Sequence, residues 1–240
     1  MKQRDLTLVA GAVYDEISMF LKHLGPRNKE IIGGYPLVTG VIFDKEVAVL
    51  TTGPGPVHMA AALGWALPNL KPSCLILTGC GGGFEEAGLR KGDLALATEE
   101  INPQLGIEAP SGNGPVIPLP FLSNRFPLDK TLAQKAGGAV KNSGRLEDVR
   151  VYFGPFLTVA TVTSTKTRSA RYHRDYSAVV ENMEGFSAVA ICRIHQVPVI
   201  EIRAVSNHVG DYDRGEWELG LAFERSQQAA LSIIEEGAAP

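Results

Sequence analysis

Hydrophobic positions along this chain alternate between two patterns. Short apolar runs, with the length of buried strands and often ended by glycine, are separated by stretches in which apolar residues recur every three or four positions, as on one face of a helix. Residues 6–12 predict a first strand. Residues 15–23, with Ile17, Phe20 and Leu21 on one side, predict a helix directly after it.

The same alternation continues to the end of the chain. It predicts further strands at residues 35–43, 46–51, 74–78, 93–98, 151–162 and 197–204, and helices at residues 58–67, 128–141, 165–176, 184–195 and 215–236. Residues 100–127 are rich in Pro, Gly and Asn and lack periodicity, which indicates a long loop or insertion. We therefore expect residues 1–240 to form a single α/β domain, with a central mixed or mostly parallel β-sheet flanked by helices.

Composition and charge exclude several kinds of partner. The net charge of −3 and the sequence pI of about 6.0 provide no basic surface for a nucleic acid. No run approaches the roughly 18 apolar residues of a membrane span, and the first residues do not resemble a signal peptide. Three cysteines, an odd number without a CxxC pair, favour a reducing compartment, so we expect a cytoplasmic protein.

Metal and cofactor motifs are also missing from the sequence. Five histidines are scattered without the spacing of metal ligands. The glycine cluster at residues 79–83 follows a predicted strand, but neither Gly-Lys-Ser/Thr nor a GxGxxG helix start accompanies it. We expect no metal and no cofactor. The cluster, with Cys80, Gly81 and Gly82, either lets the backbone approach a ligand or forms a tight turn.

Three polar residues stand where predicted strands end or helices begin. Glu184 is at the start of a predicted helix, so it either interacts favourably with the helix dipole or accepts hydrogen bonds from two vicinal hydroxyls of a ribose. Asn207 follows a buried strand, as a turn residue or as a donor and acceptor for a purine edge. Glu16 follows the first strand, as an exposed helix-start residue or as a site residue. Ligands of α/β proteins bind beyond the carboxyl ends of strands.

Three other side chains are candidates for the same region. Arg203 lies inside an apolar strand, where an unpaired charge is costly, so it needs a ligand or a carboxylate, for which Glu201 is available. His58 is near the suspected site, although a contact with substrate is the less favoured reading. Cys80 is available as a thiol nucleophile, but no histidine is paired with it in the sequence, which favours a packing role.

Five short motifs together resemble a known family. Residues 10–16 (AGAVYDE), 52–58 (TGPGPVH), 78–82 (TGCGG), 182–185 (NMEG) and 203–207 (RAVSN) occur in the order found in the purine nucleoside phosphorylase/nucleosidase superfamily. Each motif is weak alone, but together they span nearly the whole chain. The resemblance implies one α/β domain with a central mixed sheet, a small-molecule nucleoside as substrate, and a homo-oligomer, a dimer or larger.

Within that superfamily the motifs look like the nucleosidase branch, which includes methylthioadenosine/S-adenosylhomocysteine nucleosidase. The resemblance implies that Glu16 activates water, that Glu184 binds the sugar hydroxyls, and that Met183 packs on the ribose. It places Arg203 and Cys80 near the water, and Asn207 where the nucleosidase has an aspartate that protonates the base. His58 or Met59 of a neighbouring subunit could join the site by the same analogy.

Two departures from the family patterns narrow the reaction. Asparagine in place of aspartate at Asn207 goes with 6-oxopurines among the relatives. The Gly-Asp-Pro-x-Arg phosphate motif of phosphorylases is replaced by residues 11–16 (GAVYDE), where a carboxylate repels phosphate and favours water. The chain thus resembles the futalosine hydrolases of menaquinone biosynthesis, which release hypoxanthine from an inosine with a carboxyphenyl-ketone extension at the 5′ end.

Four alternatives stay open from the sequence. Two lie within the superfamily, an adenine-type nucleosidase and a phosphate-dependent phosphorylase. The third is a non-catalytic nucleoside sensor on the same fold, against which the two carboxylates Glu16 and Glu184 argue. The fourth is an unrelated α/β enzyme that uses Cys80.

Overall fold

The computed structural model describes residues 4–112 and 114–240 as alternating strands and helices. The strands are β1 (Arg4–Gly11), β2 (Asn28–Ile32), β3 (Tyr35–Ile42), β4 (Lys45–Thr51), β5 (Pro72–Gly83), β6 (Leu94–Ile101), β7 (Arg125–Pro127), β8 (Val151–Thr158), β9 (Val180–Asn182) and β10 (Val199–His208). The helices are α1 (Ser18–His23), α2 (Pro56–Leu70), α3 (Lys130–Asn142), α4 (Lys166–Tyr176), α5 (Gly185–His195) and α6 (Leu219–Glu235).

All ten strands belong to one mixed sheet, which confirms the predicted fold class. Strands β5, β10, β6, β8 and β9 pair in a closed ring, because β10 pairs with both β5 and β6. From β5 the sheet continues through β1, β4, β3 and β2, and β7 pairs only with β6. Strands β1, β5 and β10 run parallel to one another, so their carboxyl ends meet at one edge of the sheet.

Helices cover both faces of this sheet, and the alternation of side chains along β1 shows how. Leu8 and Ala10 pack with residues of α2 and α5 on one face, whereas Val9 packs with α1, α3 and α6 on the other. Successive side chains of a strand point to opposite faces, so a strand buried on both sides is apolar throughout. The apolar run at residues 6–12 therefore has the pattern of a central strand.

The predicted helix at residues 15–23 is wrong in its first turn. Residues Tyr14–Glu16 form a 3₁₀ turn, and α1 begins only at Ser18. The Glu16 carboxylate accepts hydrogen bonds from the backbone N–H groups of Ala12, at 2.7 Å, and Val13, at 3.3 Å. A side chain that bonds its own preceding backbone turns the chain back and delays the helix.

Other boundaries differ where glycine or polar residues obscure the pattern. The glycines at residues 79–83 continue β5 instead of forming a tight turn, and the strand β2, which is mostly exposed, was not predicted. The strand predicted to reach residue 162 ends at Thr158, and the terminal helix begins at Leu219 after a separate 3₁₀ turn at Arg214–Glu216. Residues 180–182 form the short strand β9, which the pattern of apolar residues did not predict.

The predicted insertion at residues 100–127 contains both strand and loop. Strand β6 extends to Ile101, and β7 (Arg125–Pro127) returns to pair with it. Between them, isolated backbone bridges join Ile107 to Ile117 and Leu119 to Leu122. Among the described residues, no helix is long and apolar enough to cross a membrane.

Candidate active site

A cavity of about 280 Å³ lies where β1, β5 and β10 end and α5 begins. We call it the inner cavity. It is lined by Ala12, Val13, Glu16, Pro54, Cys80, Gly81, Gly82, Val159, Val162, Glu181, Asn182, Met183, Glu184, Ser206, Asn207, Arg214, Trp217, Leu219 and Phe223. Seven of the nine residues proposed from the sequence are in this lining.

The two remaining sequence candidates lie elsewhere. Arg203 is fully buried behind the inner cavity and contacts it through Glu184. His58 is exposed on α2, where its Nδ1 lies 3.5 Å from the hydroxyl of Tyr35, and it does not line the cavity. Met59 is fully buried in a core cluster of its own chain, so it offers no exposed surface to a neighbouring subunit.

Glu16 presents a buried carboxylate to the inner cavity. Its Oε1 accepts a hydrogen bond from the backbone N–H of Cys80 at 3.0 Å, and its Oε2 accepts the one from Ala12. Burial raises the pKa of Glu16 above its ordinary value, the guanidinium of Arg203 opposes the rise, and the charge of Glu184 adds to it. A carboxylate with a raised pKa is a better base for a proton near neutral pH.

Glu184 is fixed from two sides at the start of α5. Its Oε1 accepts the backbone N–H of Gly55 at 2.9 Å, and Nη1 of Arg203 donates to its Oε2 at 3.3 Å. Gly55 has a φ of 89°, a left-handed conformation that glycine adopts without strain. The motif at residues 52–58 therefore serves to bring a backbone donor to the carboxylate.

Arg203 is held between two carboxylates, as its place in an apolar strand required. Its Nε donates to Oε1 of Glu201 at 3.0 Å and its Nη1 to Glu184, all three side chains being buried. Burial lowers the pKa of Arg203, but the charges of Glu201, Glu184 and Glu16 outweigh it and raise the pKa overall. The guanidinium is therefore charged and orients Glu184.

A second buried carboxyl, that of Glu100 on β6, extends this network under α5. Its oxygens accept hydrogen bonds from Nδ2 of Asn182 and from the hydroxyl of Thr158, both at 2.7 Å. Oδ1 of Asn182 in turn accepts the backbone N–H groups of Glu184 and Gly185. The Glu100 carboxyl thus positions the residue that caps the first turn of α5.

Glu100 and Glu201 meet at the backbone of Gly185. A Cβ placed at Gly185 would overlap Oε1 of Glu100 and lie 2.5 Å from each oxygen of Glu201. Burial, followed by the charge of Glu201 and a hydrogen bond with it, raises the pKa of Glu100 well above its ordinary value. Burial also raises the pKa of Glu201, against the opposing charge of Arg203. The shift of Glu100 favours its protonated form, which is suited to donate to Glu201, whose Oε2 has no hydrogen-bond partner among the described residues.

Asn207 forms the polar wall beside the glycines of β5. The hydroxyl of Ser206 donates to its Oδ1 at 2.8 Å, and its Nδ2 donates to the carbonyl of His208 at 3.0 Å. These two bonds define which end of the amide is the donor and leave its second Nδ2 hydrogen for another acceptor. Asn207 pairs with Gly82 across β5 and β10, which places the amide against the glycines.

The glycines of β5 make room for the neighbouring strand as well as for the cavity. A Cβ at Gly81 would lie 2.6 Å from Cγ1 of Val180 and 2.9 Å from the carbonyl of Glu181. At Gly79 a Cβ would overlap Oε1 of Glu16 and lie 2.9 Å from Nη1 of Arg203. Their residue type is therefore set by close approach in a strand rather than by a turn.

Cys80 lacks the properties of a nucleophile. Burial raises the pKa of its thiol to about 12, and the charges of Glu16 and Glu184 add to the rise against the opposing charge of Arg203. Only the thiolate is a strong nucleophile, and reactive cysteines lie in electropositive surroundings. The structure thus favours a packing role beside Glu16.

Several lining residues were not proposed from the sequence. Glu181 accepts the backbone N–H and the hydroxyl of Thr163 at 2.9 and 2.6 Å, and its position next to the NMEG motif was the one available signal. Trp217, Arg214 and Phe223 come from the last 30 residues, where no motif marks them. They join the site only because the segment after β10 returns over it. No cluster of His, Cys, Asp or Glu among the described residues could hold a metal ion.

The chain belongs to the phosphorylase superfamily, whose family match covers residues 7–236. A futalosine hydrolase of Streptomyces coelicolor is 35% identical over 186 residues, 73% of this chain and 73% of that protein. A 5′-methylthioadenosine/S-adenosylhomocysteine nucleosidase of Glaesserella parasuis is 27% identical over 234 residues, 94% of this chain and 96% of that protein. The native structure of futalosine hydrolase from Helicobacter pylori matches with a TM-score of 0.86 at 18% identity, covering 97% of this chain and 98% of that one.

These similarities define the class of enzyme. The fold is shared with solved nucleosidases, and the two curated relatives described above are a futalosine hydrolase and a nucleosidase. The chain is therefore an N-glycosidase of the nucleosidase type that acts on a small-molecule nucleoside.

Proposed function

We propose that this enzyme hydrolyses the N-glycosidic bond of a 6-oxopurine nucleoside, and that its substrate is futalosine, from which it releases hypoxanthine. The observation that carries the choice of base is the amide of Asn207, whose oxygen is engaged by Ser206 and whose remaining N–H is a donor. The O6 and N7 atoms of a 6-oxopurine are both acceptors, so one N–H serves that edge. The identity of 35% with a curated futalosine hydrolase supports the same choice.

The proposed chemistry proceeds through a sugar with oxocarbenium character. Glu16 orients water and accepts its proton, while the Glu184 carboxylate accepts hydrogen bonds from the ribose hydroxyls. The Asn207 amide donates to the departing base, on which negative charge develops. Fixed polar groups that meet charge formed in the transition state contribute roughly 2.7–4 kcal/mol each, and both carboxylates are fixed by backbone N–H donors.

Charge in the inner cavity favours water over phosphate as the nucleophile. Three of its lining side chains, Glu16, Glu181 and Glu184, carry carboxyl groups. Arg203, the cation behind them, is engaged by Glu201 and Glu184. An anion entering here would meet like charges, which is costly in a buried site. We extend the proposal to a homo-oligomeric enzyme of the cytoplasm, as the superfamily resemblance and the unpaired cysteines predict.

Release of free base from futalosine, inosine and methylthioadenosine, each with and without phosphate, tests the proposed function. We expect hypoxanthine from futalosine at a rate that phosphate does not change. Adenine as the faster product would overturn the role of Asn207, and a strict need for phosphate would overturn that of Glu16. A Glu86→Gln variant, altered at an exposed glutamate outside the cavity, serves as the preparation control.

Replacing Asn207 by aspartate is expected to shift base preference toward 6-aminopurines. A carboxyl group can protonate N7 and accept from the exocyclic amine, which an amide does not do in the same way. We expect the ratio of kcat/KM for methylthioadenosine to that for futalosine to rise at least ~10-fold, a change of about 1.4 kcal/mol. An unchanged ratio on folded protein would show that Asn207 does not select the base.

A further inference from the structure

The third carboxyl group of the inner cavity, that of Glu181 on β9, has no part in the proposed chemistry. Glu181 is 5% exposed, and it lines the cavity together with the apolar side chains of Val159 and Val162. Buried ionisable groups that face a cavity are typical of functional sites. Glu181 is therefore a candidate for direct contact with the substrate.

The register of three neighbouring strands places Glu181 across from Asn207. Gly82 of β5 pairs with Glu181 on one side and with Asn207 on the other. A Cβ at Gly82 would lie 3.5 Å from Nδ2 of Asn207, so the amide lies on the face to which Gly82 would direct a side chain. Adjacent strands are about 4.8 Å apart, so roughly 10 Å separates the backbones of β9 and β10 here. Because Gly82 has no side chain, the space between the carboxylate and the amide belongs to the inner cavity.

Hydrogen bonds hold the Glu181 carboxylate as an acceptor. Its Oε1 accepts the backbone N–H of Thr163 at 2.9 Å, and its Oε2 accepts the hydroxyl of the same residue at 2.6 Å. Burial raises the pKa of Glu181, and the two donors of Thr163 and the charge of Arg168 oppose the rise. Two oxygens that both accept are typical of an ionised carboxylate. Such a group has about four lone-pair sites, so it keeps acceptor positions for a ligand.

The N1 position of a purine distinguishes the two classes of base at this point. N1 carries a hydrogen in a 6-oxopurine, whereas it has a free lone pair in a 6-aminopurine. N1 and N7 lie on opposite sides of the C6 substituent, so a base that turns O6 and N7 to Asn207 directs N1 toward the strand that carries Glu181. An ionised carboxylate has no hydrogen to donate. It therefore accepts from N1–H and repels the lone pair of a 6-aminopurine.

We propose that Glu181 is a specificity-determining residue that accepts a hydrogen bond from N1–H of the 6-oxopurine base. This inference rests on the proposed function for the position of the base beside Asn207. It adds a second selection on a different atom of the base, and it assigns the exclusion of 6-aminopurines to a carboxylate that the catalytic scheme does not use.

Futalosine and its 6-amino analogue, which differ only in the base, test the role of Glu181. A site that hydrogen-bonds an N–H of its substrate discriminates strongly against an analogue that lacks it. Glu181→Gln keeps the size of the side chain and its contacts with Thr163, but its amide can also donate to N1. We expect the preference for futalosine in kcat/KM to fall at least ~10-fold in this variant. An unchanged preference in folded Glu181→Gln enzyme would overturn the proposal.

Two control variants separate recognition of the base from support of the loop after β8. Thr163→Val keeps the carboxylate and the backbone N–H but removes the hydroxyl donor, so it weakens the support and leaves the acceptor in place. Glu86→Gln alters an exposed glutamate outside the cavity. Both should keep the wild-type preference within about threefold. If Thr163→Val lowers the preference as much as Glu181→Gln does, Glu181 only supports the loop and the proposal fails.

Binding of free bases distinguishes a failure of this inference from a failure of the proposed function. Isothermal titration calorimetry gives the Kd of hypoxanthine, 1-methylhypoxanthine and adenine for the wild type and for Glu181→Gln. The methylated base keeps O6 and N7 but lacks the N1 hydrogen. We expect the wild type to bind hypoxanthine at least ~10-fold more tightly than the other two bases, and Glu181→Gln to bind hypoxanthine and adenine within about threefold of each other.

The two kinds of measurement fail separately. If no substrate releases base, the proposed function fails, whereas the expected pattern of Kd values still supports the role of Glu181. Equal Kd values for hypoxanthine and 1-methylhypoxanthine in the wild type, or no binding of hypoxanthine, refute that role even where futalosine is hydrolysed.

Discussion

Glu184→Gln is expected to lower kcat at least ~100-fold. This is the effect of removing one fixed polar group that stabilises the charge formed in the transition state. Glutamine keeps an oxygen for the N–H of Gly55, but it loses the negative charge that faces the sugar and Arg203. Initial rates of base release under saturating substrate measure the effect.

The controls for this variant separate catalysis from folding. Thermal unfolding should show a folded protein, because Arg203 keeps Glu201 as its partner. Glu86→Gln, altered at an exposed glutamate, should have wild-type kcat. If folded Glu184→Gln enzyme stays within tenfold of the wild type, Glu184 has no part in the mechanism.

Glu201→Gln and Glu100→Gln are expected to differ sharply in stability, although both remove one buried carboxyl. Glu201 is one of the two carboxylate partners of Arg203, and breaking a buried ion pair from one side costs about 3–5 kcal/mol, which is the upper value here because Glu184 remains. For a chain of this size each kcal/mol lowers Tm by roughly 2–4 °C. The raised pKa of Glu100 favours its protonated form, and an amide reproduces the donor and one acceptor of that form, so Glu100→Gln should cost much less.

The pH dependence of the Tm difference between Glu100→Gln and the wild type tests the protonation of Glu100. The pKa of Glu100 is raised on folding, so its contribution is fully present below the unfolded pKa and is lost as the pH rises through the folded pKa. Glu100→Gln lacks this loss, so the Tm of the variant minus the Tm of the wild type should increase between pH 5 and pH 9. If the Tm difference between wild type and Glu100→Gln is independent of pH over that range, Glu100 is not protonated.

Local patterns were sufficient for the fold class and for part of the site. The alternation of buried strands with helices predicted the mixed α/β architecture. This is possible because the periods of strands and helices depend only on the spacing of apolar residues within a short segment. Glu184 is at the start of α5 as predicted, and Asn207 is close to the end of β10. The NMEG and RAVSN motifs indicated the residues that line the inner cavity, and Arg203 was expected to need a carboxylate.

The features that complete the site depend on contacts between distant parts of the chain. Glu100 reaches Asn182 across 82 residues, and the Glu16 carboxylate bonds the N–H of Cys80 64 residues away. The second contact, with those to Ala12 and Val13, converts a predicted helical turn into a 3₁₀ turn. Arg214 and Trp217 enter the lining because the chain after β10 folds back over the cavity.

The sequence by itself determined the succession of elements, the class of enzyme and the main polar residues, since periodicity and motifs are properties of short segments. Only the tertiary structure decided which buried carboxyl has the more strongly raised pKa, how the Asn207 amide is oriented, and that Arg214 and Trp217 join the lining of the inner cavity. The physical reason is that burial and the charges of neighbouring groups set protonation and orientation. These neighbours meet only when the ring of β5, β10, β6, β8 and β9 closes.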